Sequence, residues 1–180
     1  GGQMIATQVE SLTDDDANDI TLTTTSGDLV IDTVNAGFAG DVTLTAAGAI
    51  VDGNGDLVNV TADGLTADAV DGIDLDTAIT SLDAADAAAG SLMIDEISAI
   101  NLVDVDTADG PIRVHAGGAI LGVDVASLTD ADANDIDLRA ATGDLIIGSV
   151  DARSAGDVTL TAVLGAIVDG NGAAVNVVAD

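Results

Sequence analysis

The 180-residue chain has no cysteine, lysine, tryptophan or tyrosine, and Phe38 is its only aromatic residue. Without cysteine, a disulfide framework and a thiolate metal site are both excluded. Its only permanent cations are Arg113, Arg139 and Arg153, too few to neutralise a run of phosphates, so nucleic acid is excluded as a partner. An anionic membrane surface is excluded on the same ground. No stretch of 18 apolar residues exists to insert into a bilayer. Gly1-Gly2-Gln3-Met4 is neither a signal peptide nor a lipidation motif, so targeting information is expected outside this segment. With aromatics missing, a core has to be built from Val, Ile, Leu and Ala, which suits thin, regular layers better than a globule.

What the chain does have is apolar content of 48%, which argues against disorder, and a formal net charge of -29. Of its 32 acidic residues only Glu10 and Glu96 are glutamates, leaving 30 aspartates. Aspartate forms turns and binds hard cations, whereas glutamate is the better helix former, so the bias favours a turn-rich β protein.

The chain repeats itself. Residues 9–63 return as 125–180 at an offset of 116, which becomes 117 after Leu164, with 38 identities in 55 aligned pairs. Gly40-Asp41-Val42-Thr43-Leu44-Thr45-Ala46, for example, recurs as Gly156-Asp157-Val158-Thr159-Leu160-Thr161-Ala162. The segment is therefore one continuous repeat unit, with one long repeat over 1–116 and a partial second over 117–180, and neither end is expected to be a natural cap.

A finer period lies inside the long one. Apolar-x-apolar cores occur at Ile20/Leu22, Val42/Leu44, Val58/Val60, Ile73/Leu75, Leu92/Ile94, Ile112/Val114 and Ile136/Leu138. Their steps of 22, 16, 15, 19, 20 and 24 residues predict six turns of roughly 19 residues per long repeat. Each core alternates as a strand does, with Val42 and Leu44 on one face and Thr43 and Thr45 on the other. Flanking runs such as Ser26-Gly27-Asp28 and Asp52-Gly53-Asn54-Gly55 are turn chemistry. The pattern predicts an all-β, parallel β-solenoid, with Leu82–Gly90, helical in composition, as a bulging loop.

The runs Gly27-Asp28-Leu29-Val30-Ile31, Gly40-Asp41-Val42-Thr43-Leu44-Thr45 and Ala116-Gly117-Gly118-Ala119-Ile120 resemble the glycine-led strand repeats of filamentous-haemagglutinin-type and related giant bacterial surface adhesins. The resemblance covers nearly the whole chain on a degenerate motif. It implies a right-handed parallel β-helix, secretion to the extracellular space or bacterial cell surface, and a role in adhesion or as a fibre, with matrix glycans as possible partners.

Aspartates stacked ~4.8 Å apart on successive turns repel by ~0.9 kcal/mol per pair in water, which calls for cations. Two clusters offer alternate oxygen ligands of the kind a flexible Ca²⁺ loop uses. One is Asp14, Asp16, Asn18 and Asp19, repeated as Asp130, Asp132, Asn134 and Asp135; the other is Asp52, Asn54 and Asp56, whose copy loses a carboxylate at Ala173. Neither is an EF-hand, since Asp19 and Leu57 stand where its glycine belongs, and Thr25 and Asp63 where its glutamate belongs. They are expected either to bind Ca²⁺ or to serve as solvated Asx-turns. Arg113 and His115 sit two apart on one strand and are expected to meet neighbouring aspartates rather than form an anion site.

The expected function is non-enzymatic, a stiff acidic rod that stacks end to end with further copies of itself. A carbohydrate- or surface-binding β-helix is the alternative. A polysaccharide lyase lacks its basic and aromatic cleft residues here, and a threonine ice-binding array is broken where Asp137 and Arg139 replace Thr21 and Thr23.

Overall fold

A computed structural model describes residues 2–180; Gly1, the first residue of the long repeat over 1–116, lies outside them. Among the described residues there is no helix, and every strand pairing is parallel. The chain winds through about eight turns of a β-solenoid with two sheets.

The first sheet stacks β1 (Met4–Ala6), β4 (Leu29–Ile31), β7 (Ile50–Asp52), β10 (Ile73–Ala78), β12 (Leu92–Glu96), β14 (Ile112–Ala116), β16 (Ile136–Ala140) and β18 (Val158–Ala162). Short strands β2 (Val9–Glu10), β5 (Val34–Asn35) and β8 (Val60–Thr61) extend its first three turns. The second sheet stacks β3 (Ile20–Thr23), β6 (Val42–Thr45), β9 (Gly64–Ala69), β11 (Ser81–Asp86), β13 (Ile100–Thr107), β15 (Ile120–Ser127), β17 (Leu145–Asp151) and β19 (Ile167–Asp169), with β20 (Val177–Val178) also on β17.

The alternation read from the sequence puts the aliphatic residues inside. Leu29, Ile31, Leu44, Ile50, Leu92, Ile94, Ile112 and Val114 are all at most 1% exposed. Each such side chain contributes about 1.5–3 kcal/mol of burial. Stacking places like on like, as in Ile73–Leu92–Ile112–Ile136–Val158, so the core is a set of aliphatic columns running along the axis.

The turn count differs from the sequence expectation. Paired residues are separated by 17 (Leu65 to Leu82) to 27 (Val150 to Val177) residues, and the spacing is nearer 22 than 19. Val42/Leu44 lies in the second sheet, but Val58/Val60 lies at β8 in the first, so that step of 16 is no full turn. From β3 the second sheet runs through β6, β9, β11 and β13 to β15, five turns on, and the next strand, β16, lies in the first sheet. Ile20 of β3 and its copy Ile136 of β16 are therefore five and a half turns apart. Every element of the second copy occupies the sheet opposite to its original: β16, β17, β18 and β19 repeat β3, β4, β6 and β7.

The loop expected over Leu82–Gly90 is also corrected. Ser81–Asp86 is a strand, recruited in full register by β9 on one side, with Leu82, Ala84 and Asp86 turned inward. Helical composition yields to two ready-made parallel neighbours, and alanine suits this turn, the shortest of the stack.

One position carries local strain. Arg153 has φ 62, where the first copy has Gly37 at φ 81. Left-handed backbone costs a side-chain-bearing residue roughly 1–2 kcal/mol. The bond from its Nη1 to Asp151 Oδ2 at 3.0 Å is partly exposed and returns little. Arg153→Gly is expected to raise stability by about 0.5–1 kcal/mol, measured by urea unfolding; a loss would show that the ion pair outweighs the strain.

Candidate functional site

The corner clusters and the outward faces are where this fold can meet other molecules. The aspartates of the first cluster act as staples between turns. Asp14 Oδ1 accepts the Ala39 amide at 2.8 Å, and Asp19 Oδ1 that of Asp41 at 3.1 Å. In the second copy Asp130 accepts both the amide and the hydroxyl of Ser154 at 2.9 Å, and Asp135 accepts the Asp157 amide at 3.0 Å. Asn18 and Asn134 close their own loops on the Thr13 and Thr129 carbonyls. Asp16 and Asp132 are exposed.

In the second cluster Asp52 Oδ1 accepts from the amides of Asn54 (2.8 Å) and Gly55 (3.1 Å) and from Asn59 Nδ2 (2.8 Å), while Asp56 is exposed. Its copy, Asp169, holds the corresponding bonds from Asn171, Gly172 and Asn176, and these three donors lower its pKa. Asn54 also donates to the Asp32 carbonyl one turn away. The carboxylates expected as calcium ligands are thus largely occupied as acceptors of backbone amides. Among the described residues, no three carboxylate or histidine side chains converge on a point that could hold a metal ion.

Asn59 was not singled out by sequence reasoning. It is fully buried and spans three turns, donating to the Ile31 carbonyl at 2.8 Å and accepting the Asp76 amide at 2.7 Å. Its retention as Asn176 in the second copy was the available signal.

Along the outward faces aspartates of neighbouring turns come together, as Asp76 does with Asp95 on the first sheet. On the second sheet Asp83 and Asp104 are partners in register, and the pKa of Asp83 is raised by desolvation and then by Asp104 and Asp68. Asp106 is raised by desolvation and by Asp104 and Asp124. On the first sheet desolvation raises Asp74 and Asp76, with Asp52 and Asp95 adding repulsion. Three of the four basic side chains also lie here. Arg113 Nη2 pairs with Asp95 Oδ2 at 2.7 Å, and His115 Nε2 lies 3.1 Å from Asp137 Oδ2, so both meet aspartates as expected. Arg139 is exposed beside His115.

These raised values set a pH dependence. Between the ordinary aspartate pKa and the raised one the folded chain holds more protons than the unfolded chain, so stability falls as pH rises through that window. Asp169, lowered and fully exposed, works the other way only at more acid pH. Acidification from pH 7 towards about 5 is therefore expected to raise the melting temperature in low salt, with a smaller rise in high salt. Melts that fall steadily with acid would contradict it.

Compared with protein-family models, curated proteins and solved structures, the chain matches none.

Proposed function

We propose that this chain is a non-enzymatic structural segment of a very large secreted bacterial surface protein, a stiff acidic rod for adhesion or an extracellular matrix. The observation that carries this reading is the unbroken parallel ladder through all eight turns around a single aliphatic core. Such a ladder can be lengthened without limit, because each turn needs only its two neighbours. The placement at the cell surface rests on the resemblance to surface-adhesin repeats.

The charge is neutralised by a diffuse cation atmosphere in this reading, calcium included, since Asp14, Asp19, Asp52 and their copies are engaged with amides. The outward aspartates keep the rod soluble and hold neighbouring rods apart at low salt. Tandem arrays of one, two and three long repeats test the rod directly. Each added 116 residues, five and a half turns, is expected to lengthen the particle by about 26 Å at ~4.8 Å per turn, read by small-angle scattering or electron microscopy. Length that does not grow in proportion overturns the reading.

A further inference from the structure

We propose that Asn54-Gly55 is a modification site gated by its own corner: the pair closes to a succinimide and loses ammonia when the corner opens, and the product keeps the corner from closing again. Asn-Gly occurs twice in the sequence, as Asn54-Gly55 and Asn171-Gly172, at the same corner of the two copies. The fold itself imposes this labile pair. Gly55 has φ 72 and Gly172 φ 73, a left-handed backbone that glycine adopts without strain. The residue before it has to donate. Asn54 Nδ2 gives hydrogen bonds to the Asp32 carbonyl one turn away and to the Val58 carbonyl at 3.4 Å, and Asn171 Nδ2 does the same to Gly148 and Val175. A carboxamide supplies these donors and a carboxylate has none.

In the reaction the Gly55 nitrogen gives its proton to water or hydroxide and attacks Asn54 Cγ. A C–N bond forms, the Cγ–Nδ2 bond breaks, and the side-chain nitrogen leaves as ammonia. Water then opens the cyclic imide at either carbonyl, giving aspartate or isoaspartate. Nothing is oxidised or reduced, and water is the only co-reactant.

The closed corner blocks the attack. The Gly55 amide donates to Asp52 Oδ1 at 3.1 Å, and loss of its proton would leave two like charges in contact. The Asn54 carboxamide is fixed at both ends, its Nδ2 by the two carbonyls and its Oδ1 by Asn59 Nδ2 at 3.0 Å. Asn59 is fully buried, so the clamp is anchored in the core. Ring closure therefore waits on local opening. Gly172 is held in the same way, by Asp169 Oδ1 at 2.9 Å.

The product no longer fits. Aspartate at this position would turn an acceptor towards the Asp32 and Val58 carbonyls and leave them without a donor, and would add a charge beside Asp52. Isoaspartate would lengthen the main chain next to Gly53, whose amide is tied to the Ile31 carbonyl at 2.8 Å. Each copy of the long repeat carries one such pair, so the frequency with which this corner opens sets the chemical lifetime of an array. The gate rests on the corner alone and not on the rod reading.

Peptide mass spectrometry of the whole chain, aged in mildly alkaline buffer with and without urea, tests it. Asn54 is expected to convert at least about tenfold faster in urea than in the folded chain. Asp52→Ala is expected to speed conversion in the folded chain at least about fivefold, whereas Asp56→Ala, which removes an exposed carboxylate next to the pair, leaves it unchanged. The converted wild-type fraction, separated by its extra charge, is expected to unfold at a lower urea concentration than the unconverted one. Equal rates with and without urea, equal effects of the two aspartate variants, or a converted fraction that unfolds at the unconverted midpoint overturns the proposal. The first and last comparisons use the wild-type chain, so they stand even if Asp52→Ala does not fold.

Discussion

Gly110→Ala is expected to destabilise the chain by roughly 2–4 kcal/mol, a large part of what holds a domain of this size folded. Gly72, Gly90 and Gly110 follow one another at the same corner on successive turns. A methyl group on Gly110 would fall on the carbonyl oxygen of Gly90, and one on Gly90 would fall on the backbone of Gly72. The obstacle is backbone held by ladders on both sides, so it cannot swing away as the end of a flexible side chain would. Gly122→Ala is the control. Its added methyl group meets Ile147 and Leu138 no closer than ordinary van der Waals contact, and the change is expected to stay within about 1 kcal/mol. Urea unfolding of both variants checks the pair, and equal effects would show that the corner can relax.

Glu96→Ala is expected to remove about 3–5 kcal/mol. Glu96 is 3% exposed and accepts four hydrogen bonds: from Thr77 Oγ1 at 2.8 Å, the Ile79 amide at 2.9 Å, and the amide and hydroxyl of Ser98 at 2.7 Å. Truncation strands two backbone amides at a corner where the chain passes from one sheet to the other. Glu96→Gln keeps one oxygen and the shape and is expected to lose about 1–2 kcal/mol. If alanine and glutamine prove equally mild, water reaches the corner and the carboxylate is dispensable. Asp86 does similar work at another corner, accepting the amides of Gly72 and Gly90 while buried at 1% exposure.

Much of the fold could be read in advance because a solenoid repeats its instructions. Alternation at Val42/Leu44 and the turn chemistry of Asp52-Gly53-Asn54-Gly55 appear in both copies, so strands and corners were each read twice. The turn length was not legible for a physical reason. Both sheets line the same core and use the same apolar-x-apolar pattern, so nothing in Val58/Val60 distinguishes a half turn from a whole one; pairing register alone does. Ser81–Asp86 was missed because small residues fit a strand once its neighbours supply the ladder. The inward aspartate and glutamate escaped notice among so many acids, since a buried acceptor of corner amides has the same letter as a solvated one. At Asp14 and Asp52 the repeated corner motif marked the residues, and the geometry shows what the letters could not, that each carboxylate accepts backbone amides.

The half-turn phase between copies also constrains how a gene for such an array can change length. Tandem units with 38 of 55 positions identical are prone to unequal recombination, which adds or removes whole units. Loss of a single unit would rotate everything beyond the junction by half a turn and exchange its two faces, whereas loss of two would shorten the array and leave its distal end facing as before. In the proposed array, length variants should therefore differ by even numbers of units wherever the direction of the far end matters.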